Sequence, residues 1–328
     1  MCTMNEKERI YNVLEGKAVD RAPTGFWLHF PESMHHGDAA IRAHLKFMEE
    51  TGTDILKVMN ENLLYDGESR ILSTADLDKM RGYTRRDKIF VDQMDIIKRI
   101  CDQTQGRYPV LATIHGLIAS VFHGTGFAGN YNTMGYGLSV FNREQPQKMK
   151  RVFEMYTDTL LELVDCSLEA GADGIFYAAL GGESKWFFHD EYMEYVSVHE
   201  QRLYQHIKEK TRFNVLHICK SDIDFERFTV LDPAVVNWSI FHNNMSLTEG
   251  ARLFPNSIIL GGFQDRQGVL VDGTEAEIEA HTKKILKEME GRPFIVGADC
   301  TLPTEIAPER VHSVVRAVER LQGSDQVH

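Results

Sequence analysis

Apolar residues, many of them β-branched or aromatic, gather in eight short runs along the chain. They are APTGFWLHF (22–30), TDILKVMN (53–60), YPVLATIHG (108–116), ADGIFYAAL (172–180), FNVLHIC (213–219), AVVNWSI (234–240), SIILGGF (257–263) and PFIVGADC (293–300). Between them lie stretches whose apolar positions recur at helical spacing, such as IRAHLKFMEETG, MKRVFEMYTDTLLELVDCSLEAG, EAEIEAHTKKILKEMEG and APERVHSVVRAVERLQG. Eight strand-like runs, each followed by helical sequence, predict an α/β fold: a single (β/α)8 barrel with an N-terminal helical extension, spanning residues 1–328 as one domain. The helical signal between runs six and seven is short, and a doubly wound open sheet is the alternative.

In such a barrel the chemistry sits at the C-terminal ends of the strands. His217 and Cys219 close run five, and with a period of two along a strand they share a face. Cys300 closes run eight, so the barrel brings all three to one mouth. One imidazole and two thiolates suit Zn2+, and three protein ligands fit a catalytic site that keeps an open fourth position. Taken singly, a strand-end histidine is explained by a hydrogen bond and a cysteine by core packing; the three together favour a metal. Asp222, Asp224 and Asp299 lie beside them as alternatives for a fourth ligand or for the acceptor of the imidazole N–H, or as helix caps.

Composition narrows the classes. Residues are 43% hydrophobic and 26% charged, as in an ordinary globular protein. The formal net charge of −12, with no basic stretch to offset it, speaks against nucleic acid as a partner. The opening MCTMNEKERIYNVLEG is charged where a signal peptide is apolar, and no apolar run approaches the ~18 residues of a membrane span. No membrane association and a cytoplasmic location are the expectation. Five cysteines, odd in number and far apart, read as reduced thiols or metal ligands.

Several segments carry a resemblance to a known family: ERIYNVLEGKAVDRAP, GADGIFYAAL, VLHICKSDID, AVVNWSIFHNNMSLTEGARLFP, LGGFQDRQGVL and VGADCTLPTEIAPERV. Together they resemble the uroporphyrinogen decarboxylase superfamily over nearly the whole chain. His217, Cys219 and Cys300 match the His-X-Cys and distant Cys of its zinc-dependent cobamide:thiol methyltransferase branch. The resemblance implies a barrel, a Zn2+ that binds an acceptor thiol as thiolate, and a methyl donor that is a methylated corrinoid held on a separate small protein. It therefore implies a partner interface around the mouth and a small-molecule methyl acceptor. The arginine-rich segment that pairs tetrapyrrole carboxylates in the decarboxylases is absent from FWLHFPESMHHG, which argues against porphyrinogen as substrate. Asp299 and Thr301 flank Cys300 where the methyltransferases often carry glycine.

Further residues near the expected mouth are candidates for meeting the corrinoid or the acceptor. His29, with His35 and His36 after run one, and His115 at the end of run three offer imidazoles, or are solvated loop residues; His242 is of the same kind. Trp238 is a stacking wall or a core indole. Gly261 and Gly262 permit either a close ligand approach or a tight turn. Glu183 reaches toward the metal or caps a helix. The glycine-rich GTGFAGNYNTMGYG (124–137) lacks a phosphate-loop ending and reads as a lid. The competing readings are a lyase that decarboxylates a smaller carboxylate, and a non-catalytic corrinoid- or tetrapyrrole-binding protein with a structural zinc.

Overall fold

The computed structural model describes residues 4–127 and 130–323. Eight parallel strands run β1 (Thr24–Gly25), β2 (Leu56–Val58), β3 (Val110–His115), β4 (Gly174–Ala179), β5 (Phe213–Ile218), β6 (Val235–Trp238), β7 (Ile258–Phe263) and β8 (Phe294–Ala298). Each falls inside one of the eight apolar runs. Their order around the sheet is β1-β8-β7-β6-β5-β4-β3-β2. The remaining seam, between β1 and β2, is closed by Asp54: its amide donates to Thr24 O (2.9 Å), and its carboxylate accepts from the Thr24 amide (2.7 Å) and hydroxyl (2.9 Å). The strands and their surrounding helices form a (β/α)8 barrel.

Alternation along the strands divides two apolar clusters. Trp27, Ile55, Met59, Leu111, Phe176, Phe213, Val215, Val235, Ile258, Leu260 and Ile295 fill the interior, while their neighbours in sequence pack outward against the helices. The expected N-terminal extension is the helix Glu6–Leu14, capped by the Asn5 side chain, which accepts from the Glu8 amide at 2.8 Å. Its buried Ile10 and Val13 join the interior cluster and stopper the N-terminal end of the barrel.

The short signal between runs six and seven resolves into two short helices, Ile240–Asn243 and Leu247–Leu253, the second opened by a Ser246–Glu249 capping box. GTGFAGNYNTMGYG is largely helical: it ends the helix Leu117–Gly124 and begins Tyr131–Glu144, with residues 128 and 129 outside the described part. Two of its glycines serve close packing. A Cβ on Gly135 would lie 2.3 Å from the Trp186 ring, and one on Gly124 would lie 1.8 Å from the Tyr156 hydroxyl.

Candidate metal centre

Along β5, Phe213, Val215 and His217 face the interior, and Cys219 follows two residues on. The Cys219 amide donates to Ala179 O at 3.1 Å, so the chain still follows β4 there. Cys300 lies just beyond β8. The ligating atoms of His217, Cys219 and Cys300 all lie within 4.8 Å of one another, at the C-terminal mouth of the barrel.

The imidazole's tautomer follows from its neighbours. Asn237, inward on β6, donates through Nδ2 to Leu260 O (2.9 Å) and Ala298 O (3.1 Å), which fixes its amide orientation. Its Oδ1 must then accept from His217 Nδ1–H, 2.5 Å away. Nε2 is left with a free lone pair, 3.4 Å from Cys300 Sγ. Zinc held at ~2.3 Å from sulfur and ~2.0–2.1 Å from nitrogen in a tetrahedron separates those atoms by roughly 3.6 Å, so the donor set fits the ion. The ring is also stacked on Phe176, with centroids 5.5 Å apart and an interplanar angle of 25°.

The two sulfurs share a proton unequally. The hydrogen bond between them holds Cys300 well below the usual thiol range, and the same bond, with burial, lifts Cys219 well above it.

Buried carboxyls stand around the cluster. Asp299 is fully buried; its Oδ2 accepts from Ser239 Oγ (3.2 Å) and the Phe241 amide (3.3 Å), its Oδ1 has no hydrogen-bond partner among the described residues, and burial pushes its pKa up to about 8. Glu183, 2% exposed, accepts from the Tyr131 hydroxyl at 3.2 Å, and burial pushes its pKa up to about 7. Asp222 and Asp224 are turned to other work. Asp222 is largely exposed, while Asp224 binds His189 (2.7 Å) and Arg227 (3.0 Å).

The other expected contacts scatter. His29 stands half exposed after β1, its Nδ1 2.6 Å from Glu61. His115 ends β3, with Nε2 at 2.9 Å from Asn60 O and its ring edge-on to His123. His35 bonds Phe30 O at 2.7 Å, and His36 and His242 are exposed. Trp238 is not brought to the centre: next to inward Asn237 it points outward, donates to Met245 O (3.0 Å) and covers Gly250. Gly261 and Gly262 lie inside β7 rather than in a turn. Gly262 has φ +118°, and a Cβ there would meet Ile285 at 2.7 Å, so helix packing accounts for it. Asn237 was missed in the sequence, although it is the one amide in AVVNWSI.

A cleft of about 590 Å3 lies at the opposite end between the N-terminal helix and Glu275–Glu288. Its lining is mostly apolar and basic, with Glu290 among it, and carries no thiol or imidazole, so the chemistry is assigned to the candidate metal centre.

Comparisons bear on the fold and the family. A methyltransferase from Methanosarcina mazei superposes with a TM-score of 0.73 at 14% identity, covering 97% of this chain and 99% of that one. A B12-independent methionine synthase from Shewanella gives 0.56 at 13% identity, over 93% and 98% of the two chains. A putative vitamin-B12 independent methionine synthase from Listeria monocytogenes gives 0.54 at 12% identity, over 91% and 96%. At these identities the likeness is one of fold. No curated protein matches the chain in sequence. Among the described residues no helix is long and apolar enough to cross a membrane. The family model described as "Uroporphyrinogen decarboxylase (URO-D)" matches residues 66–321, and the chain belongs to that family of enzymes.

Proposed function

We propose that this chain is a zinc-dependent methyltransferase that moves a methyl group from a methylated corrinoid, carried on a small partner protein, to a thiol or similar small-molecule acceptor. The observation that carries the reading is the convergence of His217 Nε2, Cys219 Sγ and Cys300 Sγ within 4.8 Å at the mouth. When bound there, the metal ion holds the acceptor sulfur as a thiolate, the form in which it is a nucleophile. Three ligands leave room for that sulfur, where four would close the site.

The chain's own residues prepare the site. Asn237 keeps the Nδ1 proton of His217, so Nε2 faces the sulfurs as a donor. Phe176 fixes the plane of the imidazole from below. In this reading His29 and His115 are the imidazoles that meet the methyl donor, and the corrinoid protein docks over the mouth. The methyltransferase among the superposable structures supports the reaction class, and the missing arginine segment after β1 supports an acceptor smaller and less anionic than a porphyrinogen.

Elemental analysis of protein purified under reducing, chelator-free conditions tests this directly. About one zinc per chain is expected, lost from His217→Ala, Cys219→Ser and Cys300→Ser while each still unfolds cooperatively. Methylcobalamin should then be demethylated by the wild type in the presence of one or more of a panel of thiols. A zinc-free wild type would sink the reading and leave decarboxylation of a smaller carboxylate ahead.

A further inference from the structure

Lys57 occupies the middle of β2, at an inward position between inward Ile55 and Met59. Its side chain is 5% exposed, and its ammonium is enclosed by apolar and aromatic groups. Nζ lies 4.4 Å from the Phe176 ring centroid, 5.5 Å from that of Trp27 and 2.8 Å from Met59 Sδ. Among the described residues it forms no ion pair. Burying an unpaired charge is costly, and a desolvated cation–π contact returns only part of that cost. Packing alone therefore does not account for a lysine at this position, where methionine or leucine would fill the same space.

What lies beyond Phe176 supplies the reason. The ring that Lys57 faces is the ring stacked on His217, so the ammonium sits one aromatic layer from the metal ligands. The negative groups that act on it electrostatically are Cys300 and Glu61; the titratable groups that in turn feel its charge are His44 and His115. Two cysteine thiolates neutralise a divalent ion, and any further anionic ligand leaves the centre with a net negative charge in a low-dielectric interior.

We propose that Lys57 is the built-in counter-charge of this centre, and that the ligand it favours in the open position is an anion, a thiolate, over a neutral ligand such as an amine or water. The proposal rests on the metal reading above. Burial lowers the Lys57 pKa to about 7, so near neutrality the amine is poised to gain its proton as negative charge builds at the sulfurs. Lys57 touches neither ligand nor acceptor; it is a positioning residue that acts through its field. Its enclosure also argues against the imine-forming role open to exposed lysines of low pKa.

Cobalt(II) in place of zinc gives a sulfur-to-metal absorption band that reports thiolate ligation without turnover. With 2-mercaptoethanol as probe, the pH midpoint for binding the external thiolate should rise by about one unit in Lys57→Met. At neutral pH this is a roughly tenfold loss of affinity. Lys57→Arg, which keeps the charge, should hold the wild-type midpoint, and Lys57→Gln provides a second neutral variant if methionine disturbs the fold. Unchanged midpoints in folded neutral variants overturn the proposal. A wild type that takes up no cobalt overturns the metal reading itself, which separates the two failures.

Discussion

Asp54 and Lys57 stand three residues apart in TDILKVMN, both buried, and face opposite ends of the barrel problem. At the N-terminal end Asp54 is met by Arg9, by Arg21 at 2.7 Å and by the Thr24 amide and hydroxyl, while Asp20 completes the network by holding Arg9 at 2.7 Å. At the C-terminal end Lys57, Glu183 and Asp299 are as deeply buried, and none of them forms an ion pair among the described residues. Below, charge is saturated, and it locks the seam of β1 and β2. Above, charge is left open around the three atoms of the candidate metal centre. Perturbed, unmatched groups at a strand-end mouth belong to a site, and matched ones at the other end belong to stability.

Breaking the saturated end should have the largest effect. Asp54→Asn leaves Arg9 and Arg21 facing a neutral amide in a buried pocket, and we expect a loss of about 3–5 kcal/mol in denaturant unfolding. Metal content per folded chain should not change, since the network is remote from the mouth. A variant as stable as the wild type would erase the contrast between the ends.

Relieving the open end should move stability the other way. Glu183 has its pKa pushed by burial from 4.5 to about 7. Below pH 4.5 both folded and unfolded chains carry it protonated, and it contributes nothing. As pH rises through 4.5 to 7 the unfolded chain ionises first, so the folded state loses stability across that window. Glu183→Gln keeps an acceptor for the Tyr131 hydroxyl and removes the titration. In metal-free protein it should be more stable than the wild type by on the order of 2–3 kcal/mol at pH 8 and by little at pH 4. A gain of equal size at both values would mean that the carboxyl is not strained by burial.

Much of this contrast can be traced to what a parallel strand lets a sequence show. All eight strands lie within apolar runs, and His217, Cys219 and Cys300 were legible because chemistry-bearing residues stand at strand ends, where a spacing of two puts His217 and Cys219 on one face without saying which face turns inward. Facing itself was hidden. In AVVNWSI both faces of β6 are buried, so no alternation tells inward Asn237 from outward Trp238 or decides between the stacking-wall and core readings of the indole. The signal that remained was a lone polar residue inside an apolar run, Asn237 here and Lys57 in β2. The glycine-rich 124–137 stretch hid its helices for a different reason. Its low helix propensity is overridden by the need to bring helices close to Trp186 and Tyr156.

Asn237 sharpens the comparison most finely, because it acts on the open end without carrying charge. Its two donated bonds, to Leu260 O and Ala298 O, tie β6 to β7 and β8, and its accepted bond sets the His217 tautomer. Asn237→Leu removes all three. Partners of this kind typically contribute 10–100-fold to metal affinity, so zinc affinity measured by chelator competition should fall by about that factor. Asn237→Asp separates the two roles: a carboxylate still accepts from Nδ1 but faces two carbonyl oxygens it cannot donate to. It should bind zinc more tightly than the leucine variant while unfolding more easily than the wild type. If both variants hold zinc as tightly as the wild type, the imidazole is oriented by its stacking on Phe176 alone, and the amide belongs with Asp54 among the groups that only hold the barrel together.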